Sequence, residues 1–264
     1  MKKQIPIIDF HTHPFLDRFT NICIHQEYCD MTVESTLETF KALGITKICG
    51  SVIKNHDLLK PEDVTWQDVL DMNNTALKLR EIYGDFYHPG FHVNSNYVKE
   101  SIAEVERMHK QGVNLVGELV PYMHGWADFS SKNFYEILEA VEHYGMVLNL
   151  HTIYDGSVDE LVKSHKNLTI VAAHPNEYEG YMAHLKRMEI SDNYYLDLSG
   201  TGIFRMGMLR HGIDEFGAER FIFGSDYPIC NPACYIGGVL HNTTLSDDEK
   251  EKILYLNAKR ILKL

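Results

Sequence analysis

Three things are scarce in this sequence: paired cysteines, positive charge and long hydrophobic runs. The five cysteines are an odd number in a chain of 264 residues, which argues against a disulfide framework and for a reducing compartment. The 37 acidic side chains outnumber the 25 basic ones and leave a formal charge of −12. Because such a surface repels phosphate backbones, we expect no nucleic-acid partner.

No apolar run is long enough to anchor the chain in a membrane. The N-terminal run breaks at Asp9, which is too early for a signal peptide, and nothing approaches the roughly 20 residues of a membrane span. We therefore expect a cytoplasmic protein without a membrane partner. Since no linker, low-complexity tract or charge block divides the chain, we expect one domain over residues 1–264. Homo-oligomerisation stays open.

Short apolar segments alternate with longer amphipathic ones along the whole chain. Eight segments have the character of strands buried on both faces, and they occupy residues 5–10, 45–51, 85–93, 114–120, 146–151, 168–174, 194–200 and 220–226. Glycines that suit helix C-termini precede several of them, namely Gly44, Gly84, Gly112, Gly145 and Gly217. The repeat averages about 31 residues, the length of a βα unit. The sequence therefore predicts an α/β fold, a distorted (β/α)8 TIM barrel.

The first predicted strand ends in two histidines one residue apart, in IIDFHTHPF at residues 7–15. Extended backbone turns alternate side chains to one face, so both imidazoles can point towards one metal ion. Residues of metal-ligand type also stand at the ends of predicted strands 4, 5, 6 and 8. Because the carboxyl ends of barrel strands meet at one mouth, these residues together predict a metal site. The six candidates are His11, His13, Glu118, His151, His174 and Asp226.

Each candidate taken alone is more typical of an ordinary hydrogen-bonded polar residue, so the prediction depends on their joint placement. Strict alternation along the strands also predicts which residue shares the inner face with each donor. It pairs Glu118 with Val116, His151 with Asn149, His174 with Ala172, and Asp226 with Gly224. Imidazole and carboxylate donors together suit Zn²⁺, Fe²⁺, Mn²⁺ or Co²⁺ and do not suit Ca²⁺.

The order of DFHTH, NLHT, AAHP and GSDYP, with LNAKRIL near the end, resembles the amidohydrolase superfamily. It looks closest to the branch of aminocarboxymuconate semialdehyde decarboxylase, over about residues 5 to 262. The resemblance implies that the HTH pair holds a first metal. It implies that His151 and Asp226 are also ligands and that His174 polarises substrate, activates water or holds a second metal.

The resemblance also bears on the number of ions. Glu118 stands where some relatives carry a bridging carboxylate, which allows a second ion without requiring it. The resemblance implies one or two divalent transition-metal ions, with Zn²⁺ as the first choice and one ion favoured over two.

The predicted chemistry is the hydrolysis of an amide, lactone or ester bond in a small molecule. A divalent ion lowers the pKa of bound water to about 7, Asp226 takes its proton as general base, and either the metal or His174 polarises the substrate. Nonoxidative decarboxylation of a small carboxylic acid ranks second, because few arginines stand near the strand ends to hold a carboxylate. A non-catalytic metal-binding scaffold and a phosphodiesterase or nuclease are further alternatives.

Other polar residues have both a functional and an ordinary interpretation. Arg205, after strand 7, is a candidate to clamp a substrate carboxylate or phosphate, although a surface arginine fits as well. Arg18 and His56 are weaker candidates in the long loops after strands 1 and 2. Asp9 either orients a ligand imidazole or bonds to nearby backbone.

Cysteines and aromatic residues near the strand ends are also ambiguous. Four thiols in the loops after strands 1 and 8 allow a second zinc site, although buried cysteines without a metal are common. They are Cys23, Cys29, Cys230 and Cys234. Trp66, Trp126 and Tyr122 either line the pocket or fill space in the core.

Overall fold

The computed structural model describes residues 5–23, 31–55, 58–152, 156–202 and 205–264. Parallel strands form one eight-stranded sheet in sequence order. The strands are β1 (Ile7–Asp9), β2 (Ile45–Gly50), β3 (Tyr87–Phe91), β4 (Leu115–Leu119), β5 (Val147–His151), β6 (Thr169–Ala173), β7 (Tyr194–Asp197) and β8 (Phe221–Ile222). Each lies within one of the eight predicted segments.

Backbone hydrogen bonds beyond the ends of β1 and β8 close the sheet into a barrel. The amide of Phe10 donates to the carbonyl of Phe223 at 3.0 Å, and the amide of Asp226 donates to the carbonyl of His11 at 2.8 Å. The predicted TIM-barrel architecture is confirmed.

Helices surround the barrel, and the last of them closes its lower end. They are α1 (Val33–Ala42), α2 (Trp66–Tyr83), α3 (Val98–Lys110), α4 (Lys132–His143), α5 (Gly156–Ser164), α6 (Tyr178–Ile190), α7 (Met208–Phe216), α8 (Pro232–Leu240), α9 (Asp247–Glu251) and α10 (Asn257–Leu262). Capping boxes begin three of them, at Thr32, Thr65 and Ser246. All five glycines predicted as helix stops have positive φ angles, so they end helices with a backbone that other residues rarely adopt.

Two apolar clusters show which side chains face the barrel interior. The interior cluster draws residues from seven strands, and Ala258, Ile261 and Leu262 of α10 pack against it. The other cluster joins the outward faces of the strands to the surrounding helices. Because α10 covers the lower end of the interior, the mouth at the carboxyl ends of the strands is the end left for a site.

The clusters correct part of the predicted alternation along the strands. Val116 and Ala172 pack in the outer cluster, on the face opposite to the one predicted for Glu118 and His174. In β4, the step from Val116 to Leu119 pairs with a two-residue step in β5, so one extra residue re-aims Glu118. His174 has a positive φ of 68°, which breaks the alternation after β6.

In the part of the chain that the structure describes, none of the helices combines the length and the apolar character that a bilayer crossing requires.

The packing of β2 against the strand-1 loop gives a stability prediction. A Cβ added at Gly50, which has φ +140°, would lie 1.9 Å from the carbonyl oxygen of Thr12. Because the backbone of Thr12 cannot move aside without a large cost in free energy, Gly50→Ala should lower the free energy of unfolding by about 3 kcal/mol. At Gly145, with φ +59°, an added Cβ meets nothing within 4 Å, so Gly145→Ala should cost only about 1 kcal/mol. Urea unfolding measures both, and equal losses would contradict the predicted contact.

Candidate metal centre

All six predicted donors meet at the mouth of the barrel. His11 and His13 follow β1, Glu118 lies in β4, and His151 ends β5. His174 follows β6, and Asp226 lies four residues beyond β8. Five of the six are buried, and His151 is partly exposed. The structure therefore brings together residues that are separated by up to 215 positions in the sequence.

Four donor atoms form a first donor set: His11 Nε2, His13 Nε2, Glu118 Oε2 and Asp226 Oδ1. The two histidine nitrogens are 3.2 Å apart. Glu118 Oε2 lies 3.4 Å from the first and 3.3 Å from the second. Asp226 Oδ1 lies 3.6 and 3.4 Å from the same two atoms. Tetrahedral ligands about 2.0–2.2 Å from an ion lie roughly 3.4 Å from each other, so these five distances suit a divalent metal.

Glu118 also belongs to a second donor set, through its other oxygen. Glu118 Oε1 lies 2.9 Å from His151 Nδ1 and 3.5 Å from His174 Nε2. The two histidine nitrogens are 3.2 Å apart. One buried carboxylate therefore faces two histidine donors with each of its oxygens.

The charges of the centre favour a cation. Burial lowers the pKa of His11, but the carboxylates of Asp197 and Glu118 outweigh burial and hold that pKa well above its usual range. Burial also opposes the charged form of His13, yet Asp226 and Glu118 raise its pKa to about 9. A divalent ion would supply the positive charge that these carboxylates attract and would leave the imidazoles neutral, as metal ligation requires.

The backbone is strained at two of the donors. His174 has φ 68° and Asp226 has φ 63°, and only two other non-glycine residues in the described ranges have positive φ. Each such conformation costs on the order of 1–3 kcal/mol and persists where the surroundings over-determine it, which is typical of functional sites.

Asp197 and Ser199 at the end of β7 belong to the same centre, and the sequence analysis missed them. The Asp197 carboxylate, not that of Asp9, contacts the His11 ring, at 2.8 Å from Nδ1. Asp9 instead accepts hydrogen bonds from the backbone amides of Ser225 and His11. The available signal was an acidic residue in the otherwise apolar segment YYLDLSG.

Two further buried histidines, His92 after β3 and His124 after β4, were also missed. Their rings meet edge to face with centroids 4.7 Å apart. His92 Nε2 lies 2.8 Å from the carbonyl oxygen of Val52. The other three ring nitrogens have no hydrogen-bond partner among the described residues. Burial lowers the pKa of His92 well below its usual range and that of His124 to about 4, so both rings are neutral.

The remaining predicted polar residues lie away from the donor sets or stay untested. Arg205 is 57% exposed and forms an ion pair with Glu177, so its role as a substrate clamp stays a prediction. Arg18 is exposed, and His56 lies outside the described residues.

The aromatic candidates divide between the mouth and the core. The Tyr122 hydroxyl lies 3.4 Å from His151 Nε2, which places this ring at the mouth of the second donor set. Trp126 is buried against Phe129 and Phe134, so it fills the core. Trp66 packs near Tyr97.

The proposed cysteine site gains no support. Cys23 and Cys230 are partly buried and Cys234 is exposed, whereas Cys29 lies outside the described residues. Within the described ranges, the groups of possible metal donors contain only histidine, glutamate and aspartate.

The chain is similar to known proteins in part of its sequence and in its whole fold. The chain is 35% identical over 74 residues to γ-resorcylate decarboxylase of Polaromonas sp. JS666, an alignment that spans 28% of this chain and only 22% of that relative. It shares 14% identity with the solved 2,6-dihydroxybenzoate decarboxylase from Rhizobium, with TM-score 0.77 over 98% of this chain and 99% of the other.

Two further solved structures cover the whole barrel. A dihydroxybenzoic acid decarboxylase from Polaromonas sp. JS666, with bound manganese and the inhibitor 2-nitroresorcinol, has 15% identity and TM-score 0.67 over 99% of this chain and 98% of the other. An uncharacterised TIM-barrel protein from Bordetella bronchiseptica has 20% identity and TM-score 0.76 over 98% of both chains. A family model for amidohydrolases matches residues 8–264. The chain therefore belongs to the amidohydrolase family that this model, Amidohydro_2, describes.

Proposed function

We propose that this chain is a metal-dependent enzyme that decarboxylates a small carboxylic acid with an aromatic ring. The observation that carries the proposal is the buried first donor set, in which Asp226 Oδ1 faces both histidine nitrogens at 3.4–3.6 Å. Support also comes from the similarity of the whole chain to decarboxylases of dihydroxybenzoic acids. This order reverses the one expected from the sequence, where hydrolysis ranks first.

His11, His13, Glu118 and Asp226 would hold the ion. When bound, a divalent metal would supply the positive charge that holds and orients a substrate carboxylate. The scarcity of arginine near the strand ends therefore does not weigh against decarboxylation. Because a similar decarboxylase contains manganese, Mn²⁺ is a candidate beside Zn²⁺.

The reaction requires one proton at a defined place. Nonoxidative decarboxylation breaks the bond between the ring carbon and the carboxylate, releases CO₂, and leaves the electron pair on the ring carbon. That carbon must gain a proton, so no oxidant or reductant is needed. We assign proton delivery to Asp226 acting as general acid. With an ion in the first donor set alone, His174, which faces Glu118 in the second donor set, would orient an oxygen of the substrate; with a second ion bound, it would be a ligand of that ion.

Hydrolysis is the second candidate, and one observation favours it. Glu118 faces both donor sets with different oxygens, an arrangement that fits two ions, and two-ion centres are common in enzymes that cleave bonds with water. In that reaction Asp226 would accept a proton from water and return it to the leaving group. Two donor sets also favour two ions over the single ion expected from the sequence.

A substrate panel distinguishes the two candidates. The Mn²⁺-loaded and Zn²⁺-loaded protein should release CO₂ from 2,6-dihydroxybenzoate or a related hydroxybenzoate, and chelation of the ion should abolish the release. The measurement is CO₂ formation together with chromatography of the ring product. Acid release from lactones or amides without CO₂ from any acid would favour hydrolysis. Turnover of neither class by the ion-loaded protein would reject both.

Replacing Asp226 tests its role as the proton-transfer group. Asp226→Asn keeps the shape of the side chain and removes the transferable proton, so kcat should fall about 10²- to 10⁴-fold. Elemental analysis must show that the variant still contains the ion. Unchanged turnover with the ion retained would contradict the assigned role.

Replacing Glu118 tests the two-ion centre. The wild-type protein should bind two ions per chain, and Glu118→Gln should bind one, because an amide has a single oxygen to offer. Glu104→Gln is a matched control, since Glu104 is equally buried but bonds to Asn73 and Arg107 instead of to histidine. Metal content measured after dialysis gives the count, and one ion in the wild-type protein would contradict a second site.

A further inference from the structure

A buried carboxylate and a hydroxyl lie directly behind the two donor sets. Asp197 and Ser199 are both fully buried. Asp197 Oδ2 lies 2.8 Å from His11 Nδ1, and Ser199 Oγ lies 3.0 Å from His174 Nδ1. The Ser199 hydroxyl also makes a short hydrogen bond to Asp197 Oδ1. One connected group therefore touches a histidine of each donor set on the side away from the mouth.

The hydrogen-bonding capacity of these groups determines the direction of each bond. An ionised carboxylate only accepts, so the Ser199 hydroxyl must donate its proton to Asp197. Its oxygen then accepts from His174 Nδ1–H. Ser199 Oγ is also 3.0 Å from His11 Nδ1. That nitrogen has one proton to donate, and the Asp197 carboxylate is the closer acceptor, at 2.8 Å. Both rings thus carry their proton on Nδ1.

This tautomer leaves the Nε2 lone pair of each ring facing forward. His11 Nε2 is a donor of the first set, and His174 Nε2 is a donor of the second. The carboxylate itself is held by the backbone amides of Ser199 at 3.0 Å and His174 at 3.3 Å. A Cβ added at Gly200 would lie 2.2 Å from His174 Nδ1, so the ring is seated directly against the backbone.

We propose that Asp197 and Ser199 are positioning residues that fix the ligating tautomer of His11 and His174 and so couple the two halves of the metal centre. The inference rests on the proposed metal-dependent function. Asp197 contacts the ring of His11 directly and the ring of His174 only through Ser199. Loss of the hydroxyl should therefore affect one set, and loss of the carboxylate should affect both.

Metal titration of the metal-free protein with Mn²⁺ tests this asymmetry, with calorimetry as the readout. Ser199→Ala should weaken one of two binding steps about 10- to 100-fold, the usual effect of removing such a partner, and leave the other within a few-fold. Asp197→Asn should weaken both steps. If the wild-type protein binds a single ion, the inference requires that Asp197→Asn weaken the binding of that ion about 10- to 100-fold.

A buried serine elsewhere controls for general destabilisation. Ser101 is fully buried, and its hydroxyl makes two hydrogen bonds to the backbone of Asn94 instead of to a histidine. Ser101→Ala should lower the Tm of the metal-free protein and leave Mn²⁺ affinity unchanged. Titration curves of Ser199→Ala and Asp197→Asn that superimpose on the wild-type curve would overturn the inference alone. A wild-type protein that binds no ion would overturn the proposed function, and the inference with it.

Discussion

The centre of this protein is organised around the carboxylate of Glu118. It is buried among four imidazoles, with one oxygen towards the His11 and His13 pair and the other towards His151 and His174. A buried anion is costly unless it is compensated by positive charge. The nearby histidines hold the pKa of Glu118 well below its usual range although burial raises it. A divalent cation would satisfy the same demand without protonating the rings, which is why we propose a metal centre here.

The strands of the barrel hold these donors rigidly. Next to the donors the backbone is irregular, and these irregularities orient the side chains. An extra residue in β4 turns Glu118 inward, and positive φ angles at His174 and Asp226 do the same after β6 and β8. Such irregularities cost stability locally. The regular strands and the interior packed against α10 provide the over-determined surroundings in which they persist.

Both candidate reactions would use this centre, but they require different groups at it. Decarboxylation needs a cation to hold a carboxylate and a proton donor at the ring carbon, whereas hydrolysis needs an attacking water and a proton acceptor. Asp226 is placed to serve in either role, because a carboxyl group both gives and takes a proton. The choice therefore depends on the substrate that the loops at the mouth admit. The Asp197 and Ser199 group behind the centre serves both reactions equally, since it acts on the ligands and not on the substrate.

The sequence by itself determined the eight-unit barrel and identified the six candidate donors that meet at its mouth. Apolar segments of strand length, glycine helix stops and histidines at strand ends are local patterns, and parallel strands in a barrel bring their carboxyl ends together without further information. Only the tertiary structure decided how the donors are aimed and supported. Alternation predicted the wrong face for Val116 and Ala172. The bulge in β4 and the left-handed conformation of His174 do not change the pattern of apolar residues, so the sequence does not reveal them. The roles of Asp197 and Ser199 could not be predicted from the sequence. Their partners, His11 and His174, are distant in sequence and contact them only because β7 lies between β6 and β8 in the barrel.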